Sequence, residues 1–233
     1  FRTTNEMLDE FAYLGTEAAH AVVIENPNRI AAMIEDMPPI PAGFHPPTLN
    51  GAAEELTHRC HDRSREIYGT APHVLVQTRM DRELKDIVTN HFADVYMLAQ
   101  KVVKASRDDG YIVGSRGCVG ASFVAFLSGI TEVNSLPPHY VCPKCFATEF
   151  IHFDQTGTRR AIAMDGIQAE VGVDLPPRAC ANCETAMDRH GFDIPFETFA
   201  GLNGDGIPDI DLNFAIEYKP RARRFVEVLV GHN

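Results

Sequence analysis

Ile207-Pro208-Asp209-Ile210-Asp211-Leu212-Asn213-Phe214 is the stretch whose reading decides the fold. Apolar and acidic residues alternate along it. In a strand, residues i and i+2 project from one face, so a strand here predicts Asp209 and Asp211 side by side. Adjacent carboxylates repel and call for a compensating cation. Hard oxygen ligands suit Mg²⁺, which commonly takes one or two protein carboxylates and completes its shell with phosphate oxygens and water. The other reading of a bare Asp-x-Asp is a solvated strand face. A calcium loop is a third, since Asn203, Asp205 and Gly206 match the third, fifth and sixth positions of an EF-hand. Its first and last positions would be Gly201 and Leu212, where carboxylates are required, so residues 201–206 read as a turn entering the strand.

Farther upstream, Tyr111-Ile112-Val113 reads as a short strand and Gly114-Ser115-Arg116-Gly117 as a tight polar turn. Cys118 to Gly129 then reads as a helix. A Gly-rich turn opening a helix offers backbone N–H groups and a positive dipole end to phosphate. Ser115 adds a hydroxyl and Arg116 a charge. No Gly-Lys-Ser/Thr follows, so this is not a Walker A loop. A plain strand-to-helix turn has the same composition. Beside Asp209 and Asp211, however, the turn would complete a site in which one element holds a triphosphate and the other holds metal ions, the platform of two-metal nucleotidyl transfer.

The chain has six cysteines, and four of them form two C-x-x-C pairs, Cys142/Cys145 and Cys180/Cys183. Four thiolates close a tetrahedral structural zinc site with no open position; the alternative is free thiols in a reducing compartment. His139, His152 and His190 are possible substitute ligands but are not needed, and Cys60 and Cys118 fall outside the set. The composition, 45% hydrophobic and 23% charged over 233 residues, is that of a globular protein. No apolar run is long enough to span a membrane. A net charge of −11 argues against a general nucleic-acid coat. With no signal peptide before Phe1 and no initiating Met, the expectation is a cytoplasmic piece of a longer protein.

The first hundred residues read as helical. Thr3-x-x-Glu6 is a capping box, with Met7, Leu8, Phe11 and Leu14 behind it and Gly15 ending the turn. A second helix runs from Thr16 to Ile24 and a third, opened by Pro27, over 27–36. Residues 38–50 carry five prolines and read as a linker or loop. Helices follow over 51–68, 74–89 and 91–107, the last with Phe92, Val95, Tyr96, Ala99, Val102 and Val103 on one face. At the other end, Lys219-Pro220-Arg221-Ala222-Arg223-Arg224 opens a helix. Its basic face reads either as a contact for nucleic-acid phosphates or as a solvated surface.

Several of these segments together resemble one family. Phe1-Arg-Thr-Thr-x-Glu-Met-Leu8, Asp108-Asp-Gly-Tyr-x-Val-Gly-Ser-Arg-Gly117, Ile130-Thr-Glu-Val-Asn134 and Leu136-Pro-Pro-His-Tyr-Val-Cys-Pro-x-Cys145 are similar to the PolC-type DNA polymerase III alpha subunit. So are Asp193-Ile-Pro-Phe-Glu-x-Phe199, Pro208-Asp-Ile-Asp-Leu-Asn-Phe214 and Glu217-Tyr-x-Pro-Arg-Ala222. The resemblance implies an α/β (α+β) fragment of a nucleotidyltransferase-like palm. Its parts would be N-terminal helices over 1–107, a catalytic core over 108–136 and 192–233, and a zinc-binding insertion over 137–191. It implies two catalytic Mg²⁺ on Asp209 and Asp211. It also implies nucleotide contacts from Gly114, Ser115, Arg116, Gly117 and Ser122, and one structural Zn²⁺ on Cys142, Cys145, Cys180 and Cys183. Where the family has Ser-Val-Gly-Ser-Ser, this chain has Cys118-Val119-Gly120-Ala121-Ser122, so Ser122 is the retained hydroxyl. The implied function is template-directed DNA synthesis, with primer-template DNA and deoxynucleoside triphosphates as partners. Replisome proteins such as the sliding clamp would bind through other regions of the parent. A third palm carboxylate, the thumb and the fingers would lie downstream, so the isolated piece is expected to be inactive. Two rival readings are a zinc-ribbon nucleic-acid-binding module without catalysis and a small nucleotidyltransferase complete in itself.

Overall fold

Every fourth residue of Ala52–Tyr68 is buried: Ala52, Leu56, Cys60, Ser64 and Tyr68 form one stripe. That regularity, repeated in the next two helices, builds the main core of the computed structural model, which describes residues 1–35 and 46–231. The expected loop over 38–50 lies outside the described residues up to 45, and 46–49 adopt no regular structure. The chain divides into two compact units, Phe1–His45 and Pro46–Asn233.

The first unit holds α1 (Thr4–Glu10), α2 (Thr16–His20) and α3 (Asn26–Ala32). The capping box forms as expected: the Thr3 side chain accepts from the Glu6 N–H, and Glu6 reaches back to the Thr3 N–H at 2.6 Å. Gly15, at φ +84°, rather than Thr16, is the residue preceding α2. Helices α2 and α3 are not separate, because a π-helical turn over Ala21–Glu25 joins them into one helical run.

In the second unit, α4 (Ala52–Tyr68), α5 (Val74–Thr89) and α6 (Ala93–Asp108) match the sequence expectation to within two residues. Gly69 ends α4 at φ +78° and His73 caps α5, its Nδ1 accepting from the Leu75 N–H. The three helices pack with α7 (Phe123–Ser128) around Leu56, Met80, Tyr96 and Phe123. The strand β1 (Val113–Arg116) pairs antiparallel with β5 (Asp211–Phe214) in a two-stranded sheet. A separate antiparallel sheet has the order β3 (Thr148–Phe150), β2 (His139–Val141), β4 (Asp188–His190). It encloses its own small core of Tyr140, Ile151, Leu175 and Met187. The short α8 (Glu197–Ala200) precedes β5, and α9 (Lys219–Val230) follows it, packing through Ala222 against Val102 of α6. The fold is thus a mixture of helices and small antiparallel sheets.

Three local expectations are corrected. The strand foreseen over 111–113 is displaced to 113–116, because the Tyr111 N–H is used to close the end of α6 on the Ser106 carbonyl and the ladder begins only at Val113. The helix foreseen over 118–129 is shortened, since Gly117–Ala121 is a 3₁₀ turn and Ser122 is extended (φ −89°, ψ 115°) before α7 begins. The strand foreseen over 207–214 forms only at 211–214, since β1 offers four residues to pair.

Candidate functional site

The register of β1 against β5 sets the site. Arg116 stands opposite Asp211, Ser115 opposite Leu212, Gly114 opposite Asn213 and Val113 opposite Phe214. Directly opposed residues share a face. Val113 is buried and Leu212 packs on the main core, so one face looks inward. The other carries Gly114, Arg116, Asp211 and Asn213. Ile210, like Leu212, packs on the core, which leaves Asp209 and Asp211 alternating with them on the outward side. Asp209 is exposed and precedes the ladder; Asp211 is its first residue and half-buried. Two surface carboxylates offer the oxygen ligands that suit Mg²⁺.

The strand that carries these carboxylates has no basic residue of its own. The structure supplies one: Arg116 Nε lies 3.2 Å from Asp211 Oδ2. Both side chains reach solvent, Arg116 more than Asp211, so the pair contributes about 1 kcal/mol or less. It is easily exchanged for another cation on one side and another anion on the other. Gly117, at φ +69°, abuts the same carboxylate, and a Cβ placed there would stand 3.7 Å from Asp211 Oδ2.

Two expected nucleotide ligands lie elsewhere. The Ser115 side chain is on the inward face, 2.7 Å from the Thr131 hydroxyl. Ser122 is fully buried. It donates to Glu83 at 2.9 Å, accepts from the Ala125 N–H at 3.1 Å and lies 3.0 Å from the Tyr96 hydroxyl. The helix itself starts later than expected, at Phe123, and there the Phe123 and Val124 N–H groups are occupied, donating to Glu83 at 3.1 and 3.0 Å. Burial raises the Glu83 pKa, opposed by the Arg79 guanidinium and the Val124 and Phe123 N–H groups. Every group around that carboxylate donates to it, which favours the ionised form. Neither Glu83 nor Arg79 stood out in the sequence, where they form an ordinary i, i+4 pair.

The four cysteines of the two C-x-x-C pairs converge. Their sulfurs lie within 4.8 Å of one another. Cys142–Cys183, Cys145–Cys180 and Cys145–Cys183 are separated by 3.4, 3.5 and 3.7 Å. A tetrahedron with Zn–S bonds of about 2.3 Å has edges of about 3.8 Å, so the cluster could hold a metal such as zinc. The two knuckles are built alike. In the first, Cys142 N–H donates to Ala147 O and Phe146 N–H to Cys142 O; in the second, Cys180 N–H donates to Thr185 O and Glu184 N–H to Cys180 O. Phe146 and Glu184 both adopt positive φ, +62° and +58°. Among the described residues no other group of three or more His, Cys, Asp and Glu side chains is close enough to share an ion. His139 is not a ligand. Its Nδ1 is 2.6 Å from the Pro137 carbonyl and its Nε2 is 3.1 Å from the Tyr68 hydroxyl, which also accepts from Asn134.

The basic segment opens α9 with Pro220 in its first turn. Arg221 is engaged, pairing with Asp109 at 3.0 Å and lying over the Tyr218 ring. Lys219, Arg223 and Arg224 are exposed. No helix among the described residues is long and apolar enough to cross a membrane.

Over 99% of its length the chain is 54% identical to a DNA polymerase III PolC-type of Caldanaerobacter subterraneus, covering 16% of that protein. It is 45% identical over its full length to the protein of that name from Bacillus subtilis, and 46% identical to the one from Staphylococcus aureus, covering 15% of each. The chain therefore spans about one-sixth of the relatives it matches. Residues 54–233, most of the chain, match the model of the bacterial DNA polymerase III alpha NTPase domain, and the chain belongs to that family.

Proposed function

We propose that this chain is part of the palm of a replicative DNA polymerase, with residues 108–136 and 192–233 forming its catalytic core and 137–191 a zinc-binding insertion. The observation that carries the reading is the outward face of the β1–β5 sheet, where Arg116 meets Asp211 beside the Gly117 turn. Asp209 and Asp211 hold two Mg²⁺ ions in the assembled enzyme, and Gly114, Arg116 and Gly117 face the triphosphate. When bound, the metals would lower the pKa of the primer 3′-hydroxyl and offset charge on the departing pyrophosphate. Arg116 exchanges its contact with Asp211 for the phosphate, whose charge it matches with a planar fork of donors. The Gly117 backbone admits the nucleotide where a side chain would intrude. Primer-template DNA lies against the exposed basic residues Lys219, Arg223 and Arg224. The cysteine cluster holds one structural Zn²⁺ and takes no part in the chemistry.

The test is primer extension by the full-length polymerase carrying Asp209→Ala or Asp211→Ala. Both variants are expected to lose incorporation while retaining the wild-type circular dichroism spectrum and primer-template affinity. Near-normal incorporation at ordinary Mg²⁺ by either would overturn the assignment. The isolated 233-residue chain is expected to be inactive, since positioning of both substrates needs parts of the polymerase outside it.

A further inference from the structure

We infer that Glu83, clamped by Arg79, is a positioning residue for nucleotide binding: a buried ion pair on α5 fixes the two segments that carry Arg116 and Asp211. The inference rests on the reading of Gly114, Arg116 and Gly117 given above. Glu83 is wholly buried. Its carboxylate receives the Phe123 and Val124 N–H groups, the Ser122 hydroxyl and the Arg79 Nε. It thereby holds the start of α7 and the exit of the 3₁₀ turn that follows Arg116. Arg79 extends the clamp in two directions. Its Nη2 donates to the Ala121 carbonyl at 2.7 Å, on the same turn, and to the Ile194 carbonyl at 3.0 Å. Ile194 belongs to the segment that enters α8 and leads on to Asp209. On that segment Glu197 is gripped by Arg82 of the same helix, and Asn90 holds the Gly204 carbonyl at 3.0 Å.

Stability alone does not account for such a pair. A buried ion pair is often matched or bettered by well-packed apolar residues of similar volume, because desolvation offsets the mutual attraction. What apolar residues cannot supply is simultaneous, directional hold on two carbonyls, two N–H groups and a hydroxyl. Those five groups lie on the two segments that must be brought into register for Arg116 and Asp211 to share one surface. Misplacement of a reacting or binding group by about 1 Å costs up to about a hundredfold in rate, so a clamp of this kind acts on affinity and turnover without touching the substrate.

The experiment uses the full-length polymerase with Glu83→Gln, Ser122→Ala and, as a control for lost core packing, Leu56→Ala. The readouts are the deoxynucleoside triphosphate KM, the kcat and the primer-template dissociation constant. Glu83→Gln is expected to raise the nucleotide KM on the order of tenfold while leaving primer-template affinity unchanged. Ser122→Ala should give a smaller rise of the same kind, and Leu56→Ala none. An unchanged KM in Glu83→Gln, or an equal rise in Leu56→Ala, overturns the inference. Should Glu83→Gln fail to fold, an unchanged KM in Ser122→Ala overturns it alone. Incorporation surviving Asp211→Ala would instead overturn the reading of the site itself.

Discussion

Acid should weaken the second unit in part through His139. His139 is fully buried among Tyr68, Phe150 and His190. Burial, chiefly, lowers its pKa from 6.5 to about 3. The folded chain therefore keeps the ring neutral at pH values where the unfolded chain protonates it. Between those two pKa values the unfolded state binds the extra proton, so stability is fully present above pH 6.5 and is lost as pH falls. Each pH unit in that window is worth about 1.4 kcal/mol. From pH 7.5 to pH 5.0 the loss from this residue is about 2 kcal/mol. The assay is urea unfolding followed by circular dichroism at both pH values, since the chain has no tryptophan. It compares the wild type with His139→Gln, whose amide can still donate to Pro137 and accept from Tyr68. Protonation of carboxylates and of the cysteine cluster is common to both chains and cancels in the difference. His139→Gln should lose about 2 kcal/mol less than the wild type over this interval. Equal losses in the two chains would refute the reasoning, because the pH dependence would then arise elsewhere.

Two further outcomes bear on the cysteine centre and its scaffold. Freshly purified, never-chelated protein should contain one zinc per chain by elemental analysis, and Cys142→Ser should loosen residues 137–191 in hydrogen exchange while α4–α6 stay protected. Structural zinc contributes roughly 10 kcal/mol or more of binding in small peptides, and metal-free protein with unchanged exchange would contradict the assignment. Gly172→Ala should weaken the same region by roughly 1–3 kcal/mol, because the added Cβ would stand 2.1 Å from the His190 carbonyl oxygen. An unaltered urea midpoint would show that the turn relaxes freely.

The readings that survive contact with the structure are those whose physics is local. A C-x-x-C knuckle closes through hydrogen bonds within six residues, so both cysteine loops were legible in the bare sequence. The core helices were legible because their buried residues recur at helical spacing whatever they pack against; Leu56, Cys60 and Ser64 would line up in any context. The Thr3 capping box is local for the same reason.

What the sequence could not set was anything decided by register or burial across distance. Alternation over 207–214 marks Asp209 and Asp211 as companions, but how much of it becomes strand depends on the four residues that β1 offers, far away in sequence. That register, and nothing in either segment alone, brings Arg116 to Asp211 and turns Ser115 inward to Thr131. The Gly-rich turn looked like a helix start because nothing nearby reveals that the helix begins only at Phe123, where Glu83 occupies the first N–H groups. Arg79 and Glu83 have the spacing of an exposed salt bridge. Only the packing of α5 against α7 takes them out of water, and there the dielectric falls and each unmet donor becomes costly, so a pair that would be worth little on a surface becomes the clamp of two chain segments.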